Sequence, residues 1–244
     1  APEISSTFRI FASSQIKLTL PWPNSRDLGE IRMARKWFFD PLIPHAYDVI
    51  NIDPPTHFKT FSAFESAKGA QYPTMDDSWV RALPVIDLAS SDCLLWMWTT
   101  MPKLTVSIDI LRAWGFRFVT AGCWHKKTPG GATAKGTGFV LQSSAEVYLI
   151  GAAGHPKYRA RPQPGLIDTS DTDALFYEAL AGAAPEVIEA ERREHSRKPD
   201  QQYDILDALM GTDVRRCELF ARQARPGWEA WGNQVDHFEP LENS

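Results

Sequence analysis

Cysteine and long apolar runs are scarce in this sequence. The three cysteines among 244 residues are Cys93, Cys123 and Cys217, and an odd number at such wide spacing does not form a disulfide framework or a zinc site. No stretch reaches the roughly 18 apolar residues that a membrane span needs, and residues 1–18 lack the basic head and apolar run of a secretory signal. We therefore predict a cytoplasmic protein that is not secreted and does not cross a membrane.

Common catalytic and metal-binding signatures are also missing. The sequence has no G-x-S-x-G nucleophile elbow, and its six histidines show no H-x-x-x-H or Cys/His spacing of a metal site. The glycine-rich stretch at 128–138 has neither the spacing of a P-loop nor that of a Rossmann G-x-G-x-x-G. We therefore predict no metal site and no covalent nucleophile.

The charge is uneven along the chain. A net charge of -4 excludes a generally basic surface, although a total can hide a local field. Residues 123–163 hold six basic side chains against a single acid, Glu146, and residues 164–190 hold six acids with no Lys or Arg. The basic stretch fits either a solvated face or a surface that meets phosphates. The second interpretation makes Lys126 and Lys127 candidate contacts to a nucleic acid.

Short apolar runs rich in β-branched and aromatic residues alternate with helix-like segments. The predicted strands are 47–52, 93–99, 116–124, 145–151 and 214–221, and the predicted helices lie within 101–115 and 199–210. This alternation is typical of βαβ units, so the predicted fold class is α/β, with a mainly parallel central sheet flanked by helices. We expect one domain over 1–244, with an N-terminal extension at 1–45 and an insertion at 164–190.

An acid and two prolines follow the first predicted strand, in the segment VINIDPP. Ligands of open α/β sheets bind beyond the carboxyl ends of the strands, which is where Asp53 is expected. Pro54 and Pro55 remove two amide donors, so the Asp53 carboxylate and the Pro54 carbonyl form a pair of acceptors. Such a pair suits the exocyclic amine of a nucleobase, and catalysis would then consist of positioning and electrostatics. Alone, the tripeptide also fits a simple chain turn.

Seven further segments accompany this motif in a fixed order. They are QYPTM (71–75), LLWMWTT (94–100), LRAWGF (111–116), WHKKT (124–128), EHSRKPDQQY (194–203), CELFAR (217–222) and RPGWEAWGNQ (225–234). With these segments, the chain from about Tyr47 to Gln234, without residues 164–190, resembles the MT-A70 family of S-adenosylmethionine-dependent N6-adenine methyltransferases. The resemblance implies a Rossmann-like class I methyltransferase fold in permuted order, with the catalytic motif before the cofactor-binding motifs.

The resemblance also implies a role for individual residues. Asp53 would touch both S-adenosylmethionine and the target amine, and Tyr72 would line the target pocket. The residues implied in cofactor binding are Lys198 with Ser196 at the carboxylate, and Glu218, Arg222, Asn233 and Gln234 at the ribose and adenine. The physics agrees for Lys198, which precedes a predicted helix whose free amides favour anions. A solvated Lys198 and a Glu218 paired with a neighbouring arginine are the other interpretations.

One position departs from the family pattern, because Thr56 stands where the family has an aromatic residue. That aromatic is expected to stack on an extruded base, which is worth roughly 1–3 kcal/mol in single-strand binders. His57, Phe58 or Phe61 could replace it. Thr56 therefore affects the expected rate and the identity of the base more than it affects cofactor binding.

The sequence thus predicts an enzyme that transfers a methyl group from S-adenosylmethionine to N6 of adenine in nucleic acid, DNA rather than RNA. A catalytically inactive subunit that binds nucleic acid or supports a partner methyltransferase is the alternative, and an RNA adenine methyltransferase is a third. We expect a bacterial or phage protein. The oligomeric state is open, with a homo- or heterodimer among the options.

Overall fold

A seven-stranded sheet forms the centre of residues 38–244. The computed structural model describes residues 37–56, 75–136, 140–159, 187–192 and 197–239. The chain divides into two units, 1–37 and 38–244, and Trp37 is the one described residue of the first. The predictions for Tyr72, Ser196, the loop at 57–73 and most of the insertion at 164–190 lie outside the described residues.

The elements largely match those predicted. In chain order they are β1 (Tyr47–Ile52), α1 (Asp77–Arg81), β2 (Ala89–Thr99), α2 (Leu104–Ala113), β3 (Arg117–Lys127), β4 (Ala145–Ala153), β5 (Val187–Glu191), α3 (Gln201–Met210), β6 (Arg216–Leu219) and β7 (Glu229–Trp231). Short 3-10 turns at Val85–Leu88 and Met101–Lys103 precede β2 and α2. All five predicted strands and both predicted helices are confirmed with shifted ends, whereas α1, β5 and β7 were not predicted.

The strand order across the sheet is β5-β3-β4-β2-β1-β6-β7. Strand β1 pairs in parallel with β2 and β6, β6 pairs in parallel with β7, and β3 pairs in parallel with β5. Strand β4 is antiparallel to both of its neighbours, β2 and β3. The sheet is therefore mainly parallel, as predicted. The carboxyl ends of β1, β2, β3 and β6 meet the amino end of β4 at one edge, which we call the carboxyl edge.

The reversal of β4 divides the basic stretch. Lys126 and Lys127 end β3 at the carboxyl edge, but the nine residues of β4, at roughly 3.3 Å each, carry the chain to the opposite edge. Lys157 and Arg159 follow β4 there, and Arg159 contacts the segment before β6 through Asp213, at 2.5 Å. The described basic residues of 123–163 therefore do not form one continuous face.

Helices cover both faces of the sheet. On one face, Trp96, Trp98, Trp124 and Tyr148 form a buried cluster with Tyr203, Leu206 and Met210 of α3. Side chains alternate between the faces of a strand, so Gly151 lies on the face opposite to its clustered neighbour Ile150. A Cβ at Gly151 would lie 3.1 Å from Leu111 of α2, which places α2 on that second face. This packing holds the first turn of α3 beside the carboxyl edge.

Among the described residues, no helix has the length and hydropathy that crossing a membrane would require. Within the same ranges, no three His, Cys, Asp or Glu side chains come together as they would around a metal ion.

Candidate active site

Alternating acids and bases occupy the carboxyl edge. The Lys198 Nζ atom lies 2.8 Å from Asp53 Oδ2 and 3.0 Å from Glu146 Oε1. The Nζ atom of Lys126 lies 2.8 Å from the other oxygen of Glu146, Oε2. We call Asp53, Lys198, Glu146 and Lys126 the charge chain. It connects the Asp-Pro-Pro motif to the end of β3.

Each member of the charge chain owes its position to the topology of the sheet. Asp53 follows the last residue of β1, and Lys198 lies just before α3. Glu146 lies at the beginning of β4, where it pairs in register with Trp124 of β3. Because β4 runs in the reverse direction, its first residues share the edge at which the other strands end. The side chain of Lys198 is only 9% exposed. Asp53 and Glu146 therefore take the place of water in stabilising the charge of its ammonium.

The two carboxylates that share Lys198 differ in pKa. Burial alone would raise the pKa of Glu146, but Lys198 and Lys126 together lower it to about 2. Burial raises the pKa of Asp53, and Lys198 offsets this only in part. The pKa of the Lys198 ammonium is raised, because the attraction of both carboxylates exceeds the effect of its burial. Glu146 is thus a fixed anion, while Asp53 is the more basic acceptor of the two.

A small cavity adjoins the charge chain. Its lining includes Asp53, Trp98, Lys198, Tyr203, Glu218 and Arg222. The hydroxyl of Tyr203 lies 2.9 Å from both carboxylate oxygens of Glu218, and the guanidinium of Arg225 lies 3.9 Å from the centroid of the Tyr203 ring. Burial raises the pKa of Glu218 to about 7, although the hydrogen bond from Tyr203 and the charge of Arg225 lower it.

The backbone places Arg222 beside this cavity. Strand β6 ends at Leu219. Phe220 then adopts a φ of 60°, in the left-handed region that residues other than glycine seldom occupy. The chain turns there, and Phe220 and Arg222 both line the cavity. The guanidinium of Arg222 lies 4.9 Å from the centroid of the Phe238 ring.

Both proline carbonyls of the motif already accept a hydrogen bond from a backbone amide. The Pro54 carbonyl accepts a hydrogen bond from the amide of Thr56 at 2.7 Å, and the Pro55 carbonyl accepts one from Met75 at 2.7 Å. A carbonyl oxygen has two lone pairs, so each can accept one further bond. The acceptor pair predicted from the sequence is therefore reduced to the Asp53 carboxylate and one lone pair of Pro54.

The other predicted site residues are spread more widely. Asn233 is exposed and Gln234 partly exposed, just after β7, and neither belongs to the lining of the cavity. Lys126 is engaged with Glu146, and Lys127 lies beside it at the end of β3. Sequence reasoning assigned no role to Glu146, although a lone acid within a basic stretch was a signal that it has partners there.

The cavity suits the polar groups of S-adenosylmethionine, the cofactor that the family resemblance implies. A carboxylate can bind Lys198, and a ribose diol can donate to Glu218. The cavity is open to solvent on one side, and its volume is about 40 Å³, enough for a few water molecules. A ligand of nucleoside size would therefore extend out of the open side of this cavity or displace some of its side chains.

Comparison with known proteins agrees with this architecture. The type II methyltransferase M.MunI of Mycoplasma sp is 29% identical over 177 residues, which are 70% of this chain and 63% of that protein. An N(6)-adenosine-methyltransferase MT-A70-like protein of Arabidopsis thaliana is 33% identical over 169 residues, 68% of this chain and 21% of its own length. The mouse N(6)-adenine-specific methyltransferase METTL4 is 25% identical over 207 residues, 80% of this chain and 39% of its own.

The chain thus spans less than two thirds of the length of each of these relatives. The MT-A70 family model matches residues 47–234, from the first residue of β1 to just beyond β7. This range contains all the described residues of the charge chain and nearly all of the cavity lining, and it covers more than half of the sequence. The chain belongs to the MT-A70 family.

Proposed function

We propose that the protein transfers a methyl group from S-adenosylmethionine to N6 of adenine in DNA. The observation that carries the proposal is the position of Asp53, which directly follows β1 at the carboxyl edge. Its carboxylate lies 2.8 Å from Lys198, and it lines the same cavity as Glu218. The METTL4 relative is an N(6)-adenine-specific methyltransferase, which supports adenine N6 as the acceptor. Among the three relatives described above, the type II methyltransferase M.MunI is matched over the largest share of its length, and DNA is the substrate that we propose.

The cofactor would lie along the cavity. Lys198 binds its carboxylate, Glu218 accepts from its ribose hydroxyls, and Arg222 lies beside them. When bound, the cofactor supplies an electrophilic methyl group on a sulfonium. The predicted contacts of Ser196, Asn233 and Gln234 with the cofactor stay predictions.

Asp53 and the remaining lone pair of the Pro54 carbonyl would hold the two hydrogens of the adenine amine. This contact favours a pyramidal nitrogen whose lone pair is free to attack, so the protein acts through positioning and electrostatics. The nitrogen gains the methyl group, the sulfonium becomes a thioether, and the amine loses one proton. Asp53 is the acceptor for that proton, because burial has raised its pKa.

Product analysis tests this proposal directly. The protein is incubated with cofactor labelled on the methyl group and with duplex DNA, single-stranded DNA or RNA of one sequence, and the nucleosides are analysed by mass spectrometry. We expect labelled N6-methyldeoxyadenosine, and no label in oligonucleotides without adenine. Label on RNA alone would contradict the DNA substrate, and label on cytosine would contradict the assignment of the target.

Thr56 favours a second candidate, a subunit without catalytic activity that binds nucleic acid or supports a partner methyltransferase. The missing aromatic side chain removes a stacking contact worth roughly 1–3 kcal/mol. A subunit of this kind would leave every oligonucleotide unlabelled. It would also gain no thermal stability from S-adenosylmethionine, whereas a ligand at 100 times its dissociation constant adds about 2.7 kcal/mol.

The raised pKa of Glu218 predicts how cofactor affinity depends on pH. The side chain is protonated below about pH 7 and then accepts hydrogen bonds poorly, so S-adenosylmethionine should bind more tightly as the pH rises from 6 to 8. The free energy of unfolding without cofactor should instead fall as the pH rises. The folded protein favours protonated Glu218, and this contribution to stability is lost as the pH rises through 7. Titration calorimetry checks the affinity.

The variant Glu218→Gln is the matched control for this prediction. It keeps the shape of the side chain but does not titrate, so its cofactor affinity should be lower at pH 8 and nearly constant between pH 6 and 8. A variant that keeps the pH dependence of the native protein would assign that dependence to another group.

A further inference from the structure

Gln202 is a buried amide in the first turn of α3. Gln202 is only 2% exposed, and it lines the cavity together with Asp53, Lys198 and Glu218. Burying an amide costs free energy unless its polar atoms find partners. The oxygen of this side chain has protein partners, whereas its nitrogen is left to the cavity.

The oxygen of the Gln202 side chain is held by two donors. Oε1 accepts a hydrogen bond of 2.6 Å from Nε1 of Trp98 and one of 3.2 Å from Nδ2 of Asn51. An indole N–H can only donate, so the oxygen must face Trp98 and the amide cannot be reversed. The Nε2 group, a donor of two hydrogens, is thereby fixed on the other side, and it makes no hydrogen bond within the described part of the chain.

Asn51 has the properties of a residue that orients Gln202. It lies in β1 between Ile50 and Ile52 and is 2% exposed. Its Nδ2 atom donates to Gln202, while its Oδ1 atom has no partner among the described residues. An apolar side chain would fill this core position at less cost. The asparagine thus supplies a second donor to the oxygen that Trp98 already holds, and it restricts the Gln202 amide further.

A lysine ammonium lies near the indole that holds Gln202. The Nζ atom of Lys198 lies 5.5 Å from the ring centroid of Trp98, the same indole that binds Gln202. The first turn of α3 adds the positive end of the helix dipole. The Lys198 ammonium already contacts Asp53 and Glu146, but an ammonium has three N–H donors. Its third donor, the fixed amide of Gln202 and the helix end could therefore bind one anionic acceptor together. S-adenosylmethionine has a single anionic group, its α-carboxylate.

We propose that Gln202 is a second donor, beside Lys198, for the α-carboxylate of S-adenosylmethionine, and that Asn51 and Trp98 are its positioning residues. The inference rests on the proposed function, because it concerns the cofactor of that same site. If Gln202 binds this carboxylate, it helps the protein to bind S-adenosylmethionine more tightly than molecules that lack the carboxylate.

The test compares two ligands on two variants of the full chain by titration calorimetry. The ligands are S-adenosylmethionine and its decarboxylated form, which keeps the sulfonium, the amine and the adenosine. The variant Gln202→Glu keeps an oxygen for Trp98 and Asn51 but replaces the Nε2 donor by an acceptor, and Gln202→Met removes both. In each variant the affinity for S-adenosylmethionine should fall by about 10- to 100-fold. The affinity for the decarboxylated form should change by less than about twofold in Gln202→Met and should not fall in Gln202→Glu, because the added carboxylate attracts its two positive charges.

A third variant separates positioning from a general structural role. Asn51→Leu leaves Gln202 in place but removes the hydrogen bond that Asn51 donates to its oxygen. The variant should therefore raise KM for S-adenosylmethionine several-fold with little change in kcat. Its affinity for the decarboxylated ligand should again be unaffected. Equal losses for both ligands, or no loss for either, would overturn the role of Gln202. A higher KM for DNA with unchanged cofactor affinity would overturn it too, because Gln202 would then face the target. A native protein that binds neither ligand would instead overturn the proposed function itself.

Discussion

Replacing Asp53 by Asn is expected to reduce the rate of methyl transfer by about 100- to 1,000-fold, the effect of losing one preorganised polar contact in an active site. Asn keeps the size of the side chain but exchanges one carboxylate oxygen for an amide that donates. The adenine amine then meets a donor where it needs an acceptor, and the proton that it loses has no carboxylate to receive it. Single-turnover kinetics with labelled cofactor measures the chemical step apart from cofactor binding.

A matched control is available on α2. The side chain of Asp109 is 60% exposed, and its carboxylate lies 4.0 Å from the guanidinium of Arg112. Asp109→Asn changes the net charge by the same amount at a distance from the carboxyl edge, so its single-turnover rate should equal that of the native protein. A native rate in Asp53→Asn would show that the motif does not hold the amine, whatever the protein binds.

Replacing Lys198 by Met should both destabilise the fold and weaken cofactor binding. The substitution leaves Asp53 and Glu146 without their shared ammonium, and breaking a buried ion pair from one side costs about 3–5 kcal/mol. The cofactor carboxylate also loses a charged donor, which lowers affinity by about 10- to 100-fold. Urea denaturation measures the loss of stability, and calorimetry measures the affinity.

Lys103 provides the comparison for this substitution. Its Nζ atom lies 2.7 Å from Asp77 Oδ2, but both side chains are more exposed than Lys198, at 19% and 35%. Lys103→Met should therefore cost less than about 1 kcal/mol. Adding Glu146→Gln to Lys198→Met should restore part of the stability, because one buried anion disappears. Equal losses from the two lysine variants would mean that the charge chain is fully solvated.

The sequence was sufficient to predict features that depend on short segments. The strand before Asp53 and the helix after Lys198 both carry their own apolar pattern and their own proline signals, so their place at the edge of an α/β sheet followed from general rules. Their common cavity with Glu218 was implied by the family resemblance. These residues are local markers of the ends of elements.

Glu146 and Gln202 required the structure, because their importance arises from distant partners. Glu146 reaches the carboxyl edge only because β4 runs against its neighbours, and strand direction is not encoded in the pattern of one strand. Gln202 lies on the buried side of α3, and it contacts Asn51 across 151 residues of sequence. The short elements α1, β5 and β7 have three to five residues, too few for a periodic pattern to be visible.

The sharing of Lys198 between two acids has a kinetic consequence. Under the proposed function, the carboxylate of the arriving cofactor would draw the Lys198 ammonium partly away from Asp53, and Asp53 would then be freer to accept from the target base. The methyl donor should therefore bind first and the polynucleotide second. The demethylated product, S-adenosylhomocysteine, carries the same carboxylate and releases Asp53 in the same way, so a spent cofactor should trap an unmodified strand in a dead-end ternary complex.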